Sequence, residues 1–455
     1  MAQTPVQIDP NRINAAPSKD FFIYMLTRDV LLTRSIIDLL DNSVDGAKRL
    51  RAKKRFDGLW VRIELSPERF RITDNCGGIS VKVAREYAFC FGRPKDAEET
   101  ENSLGLFGVG MKRTFFKLGN KFEVKSTCAT EQFVVDVDVR EWVKEGDADP
   151  TDWHFKFSEL KQDIERGDAA VDLGTEITVT ELHPQIASEF QLDTVINKLA
   201  TEISEAHILS IQNGLGITVN GIPVQLLQSN LFVSDSLQPA VKHIDIPRLL
   251  IDREEGDGVR VILLAGLAKR EYQEGGWYVF CNGRLILRAD KTDTSVWGPK
   301  HSVPQYHPDF AYFRGYAFLD SAHSALLPWT TTKTGVDTDS AVYKVVQKDM
   351  IELTKSIVGF LRKIAKDQNE GQLEEGALDT ELDKATATRT ETLSIPSAFR
   401  ATLKTTPVTG PRIGRIQYSR PLDEINLAKK LMSVSTYKEV GETSFEYYLE
   451  YEGGK

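Results

Sequence analysis

The sequence predicts an α+β fold: a mixed sheet with helices on one face, a second α/β domain ending in a long helix, and a small C-terminal module. Short segments that alternate apolar and polar residues predict the strands. Two Asn-Gly dipeptides between such segments, Asn220-Gly221 and Asn282-Gly283, predict tight hairpins. Apolar residues three and four apart predict helices at both ends of this stretch. The 455 residues suffice for about three domains. We place the boundaries at 1–184, 185–367, an acidic linker over 368–395, and 396–455.

Residues from about 20 to 50 read as helix, with Ile36, Ile37, Leu40, Val44 and Ala47 on one side. WVRIEL and RFRIT form a hairpin around Ser66-Pro67-Glu68. A helical stretch from Val81 to Ala88 precedes GRPKDAEETENS, a polar loop rich in turn formers that leads into glycines. FEVKSTC, QFVVDVDV and GTEITVTEL supply further strands, and the first domain closes near His183-Pro184. The second opens with a helix around Leu192 to Ile208 and runs through ITVNGIPV and GWYVFCNGRLIL. Its last helix starts at Tyr343, where Val346, Met350, Leu353, Ile357, Phe360 and Ile364 draw one seam. That seam is too short for a coiled coil and packs on its own domain. Residues from Gln368 to about Thr390 are acidic and weakly apolar, the composition of a linker. Beyond them EINLAKKLM reads as helix and SFEYYLEYE as strand.

With 41% hydrophobic and 27% charged residues the composition is that of an ordinary globular chain. No run reaches the length of a membrane span, and the opening residues carry neither a signal-peptide core nor an Arg-rich amphipathic pattern. The expected location is cytoplasmic, with no membrane partner. Cys76, Cys90, Cys128 and Cys281 lack metal-site spacing and read as reduced thiols. A net charge of −9 argues against binding nucleic acid through overall charge.

Four short patterns carry chemistry. Asp38, Asp41, Asn42 and Asp45 recur at helical spacing, so three carboxylates and a carboxamide share one face. Taken alone this is a solvated helix face; with a cation, the amide oxygen suits Mg²⁺ and a carboxylate can orient or deprotonate water. Ile72-Thr73-Asp74-Asn75-Cys76-Gly77-Gly78 ends a strand in an Asp that could accept from an exocyclic amine such as that of adenine, with Gly78 admitting a flat ring; an Asx turn fits equally. Gly105, Gly108 and Gly110 precede a helix, offering backbone N–H groups and a helix N-terminus to phosphate, with Lys112 as a further charge. The run matches neither a Walker A loop nor a dinucleotide fingerprint. Finally, Gly174-Thr175 opens a strand whose hydroxyl could support Asp74.

In this order within about the first 180 residues, the four patterns resemble the GHKL superfamily of gyrase B subunits, heat-shock chaperones, histidine kinases and MutL. GLFGVGMKRTFFKLG looks most like the MORC and chaperone-type branches, and the whole resembles bacterial stand-alone GHKL ATP-binding proteins. The resemblance spans roughly residues 20 to 340. It implies a Bergerat-type α/β sandwich followed by a transducer-like domain. It also implies that Asn42 holds Mg²⁺, Asp74 the adenine amine, Gly78 the ring face, Gly105, Gly108 and Gly110 the phosphates, and Thr175 the water-bridged base. Pro328-Trp-Thr-Thr-Thr-Lys333-Thr sits where a transducer loop would bring a lysine to the γ-phosphate, which makes Lys333 the candidate. A lone exposed lysine is the plain alternative.

Two departures stand out. Hydrolytic relatives have Glu four residues before the Asn, whereas this chain has Asp38, a carboxylate retracted by about 1.5 Å. Cys76 replaces the first glycine of the turn. The expected function is a slow Mg·ATP-dependent ATPase, Asp38 acting as base, working as a homodimeric clamp on a protein or DNA client, including in anti-phage defence. A non-hydrolysing ATP switch is the alternative. A protein kinase of the superfamily would need a two-helix segment with an acceptor histidine before Asn42, which is missing from the sequence.

Overall fold

The computed structural model describes residues 17–51, 55–92, 103–105, 108–148, 152–165, 173–403, 416 and 418–452. They fall into two compact units, Met1–Arg362 with Gly376–Leu403, and Lys363–Glu375 with Lys404–Lys455. Most of the loop GRPKDAEETENS lies outside the described residues.

The first unit begins with α1 (Lys19–Thr27), N-capped by Ser18, and α2 (Leu32–Leu50). Beside them runs an eight-stranded sheet. Its strands are β1 (Trp60–Leu65), β2 (Arg69–Asp74), β3 (Gly119–Thr127), β4 (Gln132–Asp138), β5 (Phe157–Lys161), β6 (Gly174–Leu182), β7 (Gly216–Val219) and β8 (Ile222–Pro223), in the order β5-β4-β3-β6-β2-β1-β7-β8. The β1–β7 pair is parallel and the other neighbours are antiparallel, so the sheet is mixed as expected. Between β2 and β3 lie α3 (Val81–Val83), which runs into a π-turn over Ala84–Ala88, and α4 (Gly110–Leu118). Ile36, Ile37, Leu40 and Val44 of α2 share one core with Val61, Ile63, Phe70, Val124 and Val179 of the sheet. Each such burial is worth about 1.5–3 kcal/mol.

The chain continues through α5 (Val139–Ala148), α6 (Pro184–Glu189), α7 (Asp193–Ala206) and α8 (Ile208–Gln212). A second sheet follows. Past the short β9 (Asn230–Val233) and β10 (Leu237–Gln238), it takes β11 (Ala240–Ile246), β12 (Val259–Leu267), β13 (Gly276–Cys281), β14 (Arg284–Asp290) and β15 (Phe313–Asp320) in the order β11-β12-β15-β13-β14. Both Asn-Gly turns form, with Asn220 and Asn282 at φ 48 and their glycines also left-handed. Helix α9 (Ala341–Asn369) packs Val342, Val346, Met350 and Ile357 into the core, and Trp277 Nε1 donates to Thr354 Oγ1 at 3.0 Å.

Three elements differ from the sequence expectations. First, β7 pairs with β1, so the first sheet takes a strand from beyond residue 184. Second, the stretch read as linker holds α10 (Ala377–Lys384), which buries Leu378 and Leu382, and β16 (Thr386–Arg389), which pairs with β9; β17 (Arg400–Ala401) pairs with β10. Two leucines four apart were enough to dock a helix of otherwise acidic composition. Third, SFEYYLEYE is helical: α11 (Leu422–Met432) is followed by α12 (Tyr437–Glu452). Thr436 and Glu439 cap α12 reciprocally, each accepting from the other's backbone N–H, and the rings of Tyr447 and Tyr451, one turn apart, meet at a tilt of 33°. Among the described residues no helix is long and apolar enough to cross a membrane.

Candidate functional site

The polar face of α2 is turned inward, apart from Asn42, which is exposed. Asp38, Asp41 and Asp45 are buried, and each is compensated. Asp45 takes the backbone N–H groups of Leu104 (2.8 Å) and Gly105 (3.0 Å) and the hydroxyl of Ser103 (2.8 Å). The start of the glycine run is thus an anion-binding concavity whose present anion is a carboxylate of the chain itself. Asn42 Oδ1 lies 3.7 Å from where a Cβ on Gly105 would sit, so the carboxamide and the glycine run border the same space.

Asp74, at the end of β2, ties three elements together. Its carboxylate accepts from Ser43 Oγ of α2 at 2.7 Å, from the Cys76 N–H at 2.9 Å, and from the Thr175 N–H of β6 at 3.2 Å. Thr175 therefore supports Asp74 through its backbone, where the sequence reading expected its hydroxyl. A carboxylate offers about four acceptor positions, so three donors leave one for an exocyclic amine. Burial raises the Asp74 pKa, opposed by these hydrogen bonds and by Arg49.

The adjoining glycines are demanded by packing. A Cβ on Gly174 would lie 1.8 Å from the Asp74 carbonyl oxygen. Gly174→Ala is accordingly expected to cost about 2–4 kcal/mol of stability, read from urea unfolding. Gly78 has φ +75, and a Cβ there would meet the Thr127 carbonyl oxygen at 2.5 Å. Its side is filled by the end of β3, a reason for glycine other than the expected approach of a flat ring.

Helix α4 brings its N-terminus to Asp38: a Cβ on Gly110 would sit 3.4 Å from Asp38 Cβ, and the N-cap residue, Val109, contributes no side-chain capping bond. One turn on, the part-buried Arg113 forms an ion pair with the buried Asp38. Lys112 departs from the expected phosphate role. Its ammonium donates to the carbonyls of Ala88 (2.9 Å) and Gly108, and burial lowers its pKa to about 7. Backbone carbonyls already satisfy it, so it braces the glycine run from behind.

Lys333 is buried to 7% exposure and adopts a left-handed backbone, φ 53, in the loop before α9. Its Nζ donates to Asp41 Oδ2 at 2.5 Å and lies 3.9 Å from Asp38 Oδ1. Burial, and next Arg284, lower its pKa to about 8. The structure thus gathers Asp38, Asn42, Gly105, Gly110 and Lys333 around the polar face of α2, and Asp74 with Thr175 at the far side of Ser43, while Gly108 meets Lys112 through its carbonyl.

Residues 30–165 match the family model of Histidine kinase-, DNA gyrase B-, and HSP90-like ATPase. This segment is a GHKL ATPase domain. The match contains Asp38, Asn42, Asp74, Gly78, Gly105, Gly108, Gly110 and Lys112, whereas Thr175 and Lys333 lie downstream of it. A comparison with curated proteins finds no match. ATP is the ligand this family affiliation supports, and the geometry fits it: among the described residues one acceptor position stays open at Asp74 for the base, and Arg113 of the domain with Arg284 and Lys333 from downstream stand beside two carboxylates. For Mg²⁺ the fitting donor is the exposed Asn42 Oδ1. Among the described residues no group of three His, Cys, Asp or Glu side chains could hold a metal, and Mg²⁺ bound with a triphosphate asks for only one or two protein oxygens.

Sequence reasoning missed Arg113 and Arg284 as the cations of the site, and gave Asp41 no role. Asp41 was visible on the acidic face of α2, which demanded a compensating charge. Nothing in the sequence connects it to Arg284, 243 residues away.

Proposed function

We propose that the protein binds Mg·ATP between Asn42, Asp74 and the Gly105 run, and hydrolyses it slowly with Asp38 as general base. ATP binding gates the association of two copies into a clamp. The observation that carries this reading is the convergence of Asp38 and Asp41 of the GHKL domain on Lys333, 292 residues from Asp41, inside a buried site. A cation delivered from downstream of the domain gives the γ-phosphate a partner and links nucleotide state to the second sheet. Asn42 would hold the metal, whose chemistry is to offset phosphate charge. The client is a protein or DNA.

The deciding experiment is phosphate release from purified protein with Mg·ATP, run beside light scattering with a non-hydrolysable ATP analogue. Turnover on the order of one per minute or slower, with doubling of mass on analogue binding, is the expected result. Failure to bind Mg·ATP would refute it. One feature favours the non-hydrolysing switch instead: Asp38 is already paired with Arg113. Tight binding with no phosphate released would establish that alternative.

A further inference from the structure

Beside Asp38 lies a cluster of buried groups, Asp41, Arg284, Lys333 and His207, of which only Lys333 has a step of its own in the reaction proposed above. Asp41 is 0% exposed and Arg284 1%. A single oxygen, Asp41 Oδ2, accepts from both Lys333 Nζ and Arg284 Nη1. Among the described residues no donor reaches the other, Oδ1, and Nε2 of His207 lies 3.3 Å from it. His207 is itself fully buried, and burial lowers its pKa to about 3, so it is neutral. Arg284 Nη1 also lies 3.7 Å from Asp38 Oδ1. Two cations from downstream of the GHKL domain thus share one carboxylate of α2, and both stand within 4 Å of the proposed base.

The backbone around Arg284 shows how it is held. It follows the Asn282-Gly283 turn at the tip of the β13–β14 hairpin. Asn282 Nδ2 donates to the Ser103 carbonyl at 3.2 Å, and Lys48 Nζ of α2 donates to the Asn282 carbonyl at 2.9 Å. Ser103 is the residue that joins Gly105 in binding Asp45. One hairpin tip therefore grips the start of the glycine run and α2, and reaches the carboxylate that holds Lys333.

We infer that Arg284 is a positioning residue of the ATP reaction: by holding Asp41 it fixes the carboxylate that presents Lys333 beside Asp38. The inference rests on the ATP reading above. Without Arg284, Asp41 and Lys333 form a closed one-to-one pair, and the lysine is drawn from the phosphate site. With Arg284 sharing the carboxylate, Lys333 is held in place yet remains exchangeable.

The charged and titratable groups around Lys333 are Asp38, Asp41, Asp45 and Lys48 of α2, Arg113 of α4, His207 and Arg284. Arg284→Met removes a like charge and should raise the apparent pKa of Lys333, while Asp41→Asn removes its counter-ion and should lower it. Competitive acetylation of the nucleotide-free protein across a pH series, read at Lys333 by mass spectrometry, measures this without any ATP.

With ATP, Arg284→Met is expected to lower kcat by about 10- to 100-fold while changing KM less than about threefold, and Arg284→Lys to recover most of the loss. Thermal unfolding reports whether each variant folds, and if Arg284→Met does not, the same readouts are taken on Arg284→Gln. Shifts of Lys333 in opposite directions together with the kcat loss support the inference. An unmoved Lys333, or a wild-type kcat in the Arg284 variant, overturns it. A wild-type protein that neither binds nor hydrolyses ATP, with Lys333 still shifting as expected, refutes the ATP reading instead.

Discussion

Asp74→Asn is expected to lower affinity for ATP by about 100-fold or more, the consequence of one mismatched buried donor at roughly 1–3 kcal/mol and a lost charge-assisted acceptor. The carboxylate is acceptor-only and receives Ser43 Oγ–H and the N–H groups of Cys76 and Thr175. A carboxamide must turn its NH₂ toward one of its two sides. Facing Cys76 and Thr175 it opposes two backbone donors that cannot rotate. Facing Ser43, whose hydroxyl can swing to accept, it meets the incoming adenine amine with a donor. Calorimetric titration with a non-hydrolysable ATP analogue measures the loss, and affinity within threefold of wild type would remove Asp74 from the base site. The same carboxylate sets a pH dependence. Burial raises its pKa, and only the ionised form is a full acceptor, so affinity is complete above that pKa and falls as the pH drops through it. The decline should begin at higher pH than an exposed aspartate would allow.

The second large effect is on turnover. Asp38→Ala is expected to reduce kcat by about 10²–10⁴-fold, the usual contribution of a positioned general base. ATP affinity should hold or rise, because the substitution removes a negative charge from the site and frees Arg113, Arg284 and Lys333 to face phosphate. Single-turnover phosphate release separates the two effects. Asp38→Ala at full rate would move the base elsewhere. Asp38→Glu tests reach: if the shorter side chain is what keeps hydrolysis slow, the added methylene accelerates it.

What the sequence made legible was local. The hairpins were readable because Asn220 and Asn282 tolerate left-handed backbone next to glycine, a property of the residues and of nothing distant. The apolar stripe of α2 was readable for the same reason, since Ile36, Ile37, Leu40 and Val44 carry their periodicity with them. Family resemblance added the order of Asp38, Asn42, Asp74 and the glycines, and with it the superfamily. The remainder depended on tertiary choice. SFEYYLEYE is rich in residues that favour strands, yet a capping box at Thr436 and Glu439 starts a helix there; that pair was visible and outweighs side-chain propensity. Which cations would neutralise the acidic face of α2 was not written in any local pattern. Arg284 and Arg113 are ordinary in their own neighbourhoods and acquire meaning only when the hairpin tip and α4 arrive beside Asp41 and Asp38.

The separation of Asp41 from Lys333 also has a consequence for how the molecule comes into being. A chain emerging from the ribosome carries its acidic helix early, and the lysine that balances it more than half the protein later. Until Arg284 and then Lys333 arrive, Asp41 remains hydrated, since burying it unpaired would cost several kcal/mol. The full pairing of Asp41 is therefore among the last events of maturation, and a chain truncated before residue 333 keeps Arg284 for that carboxylate but lacks its lysine.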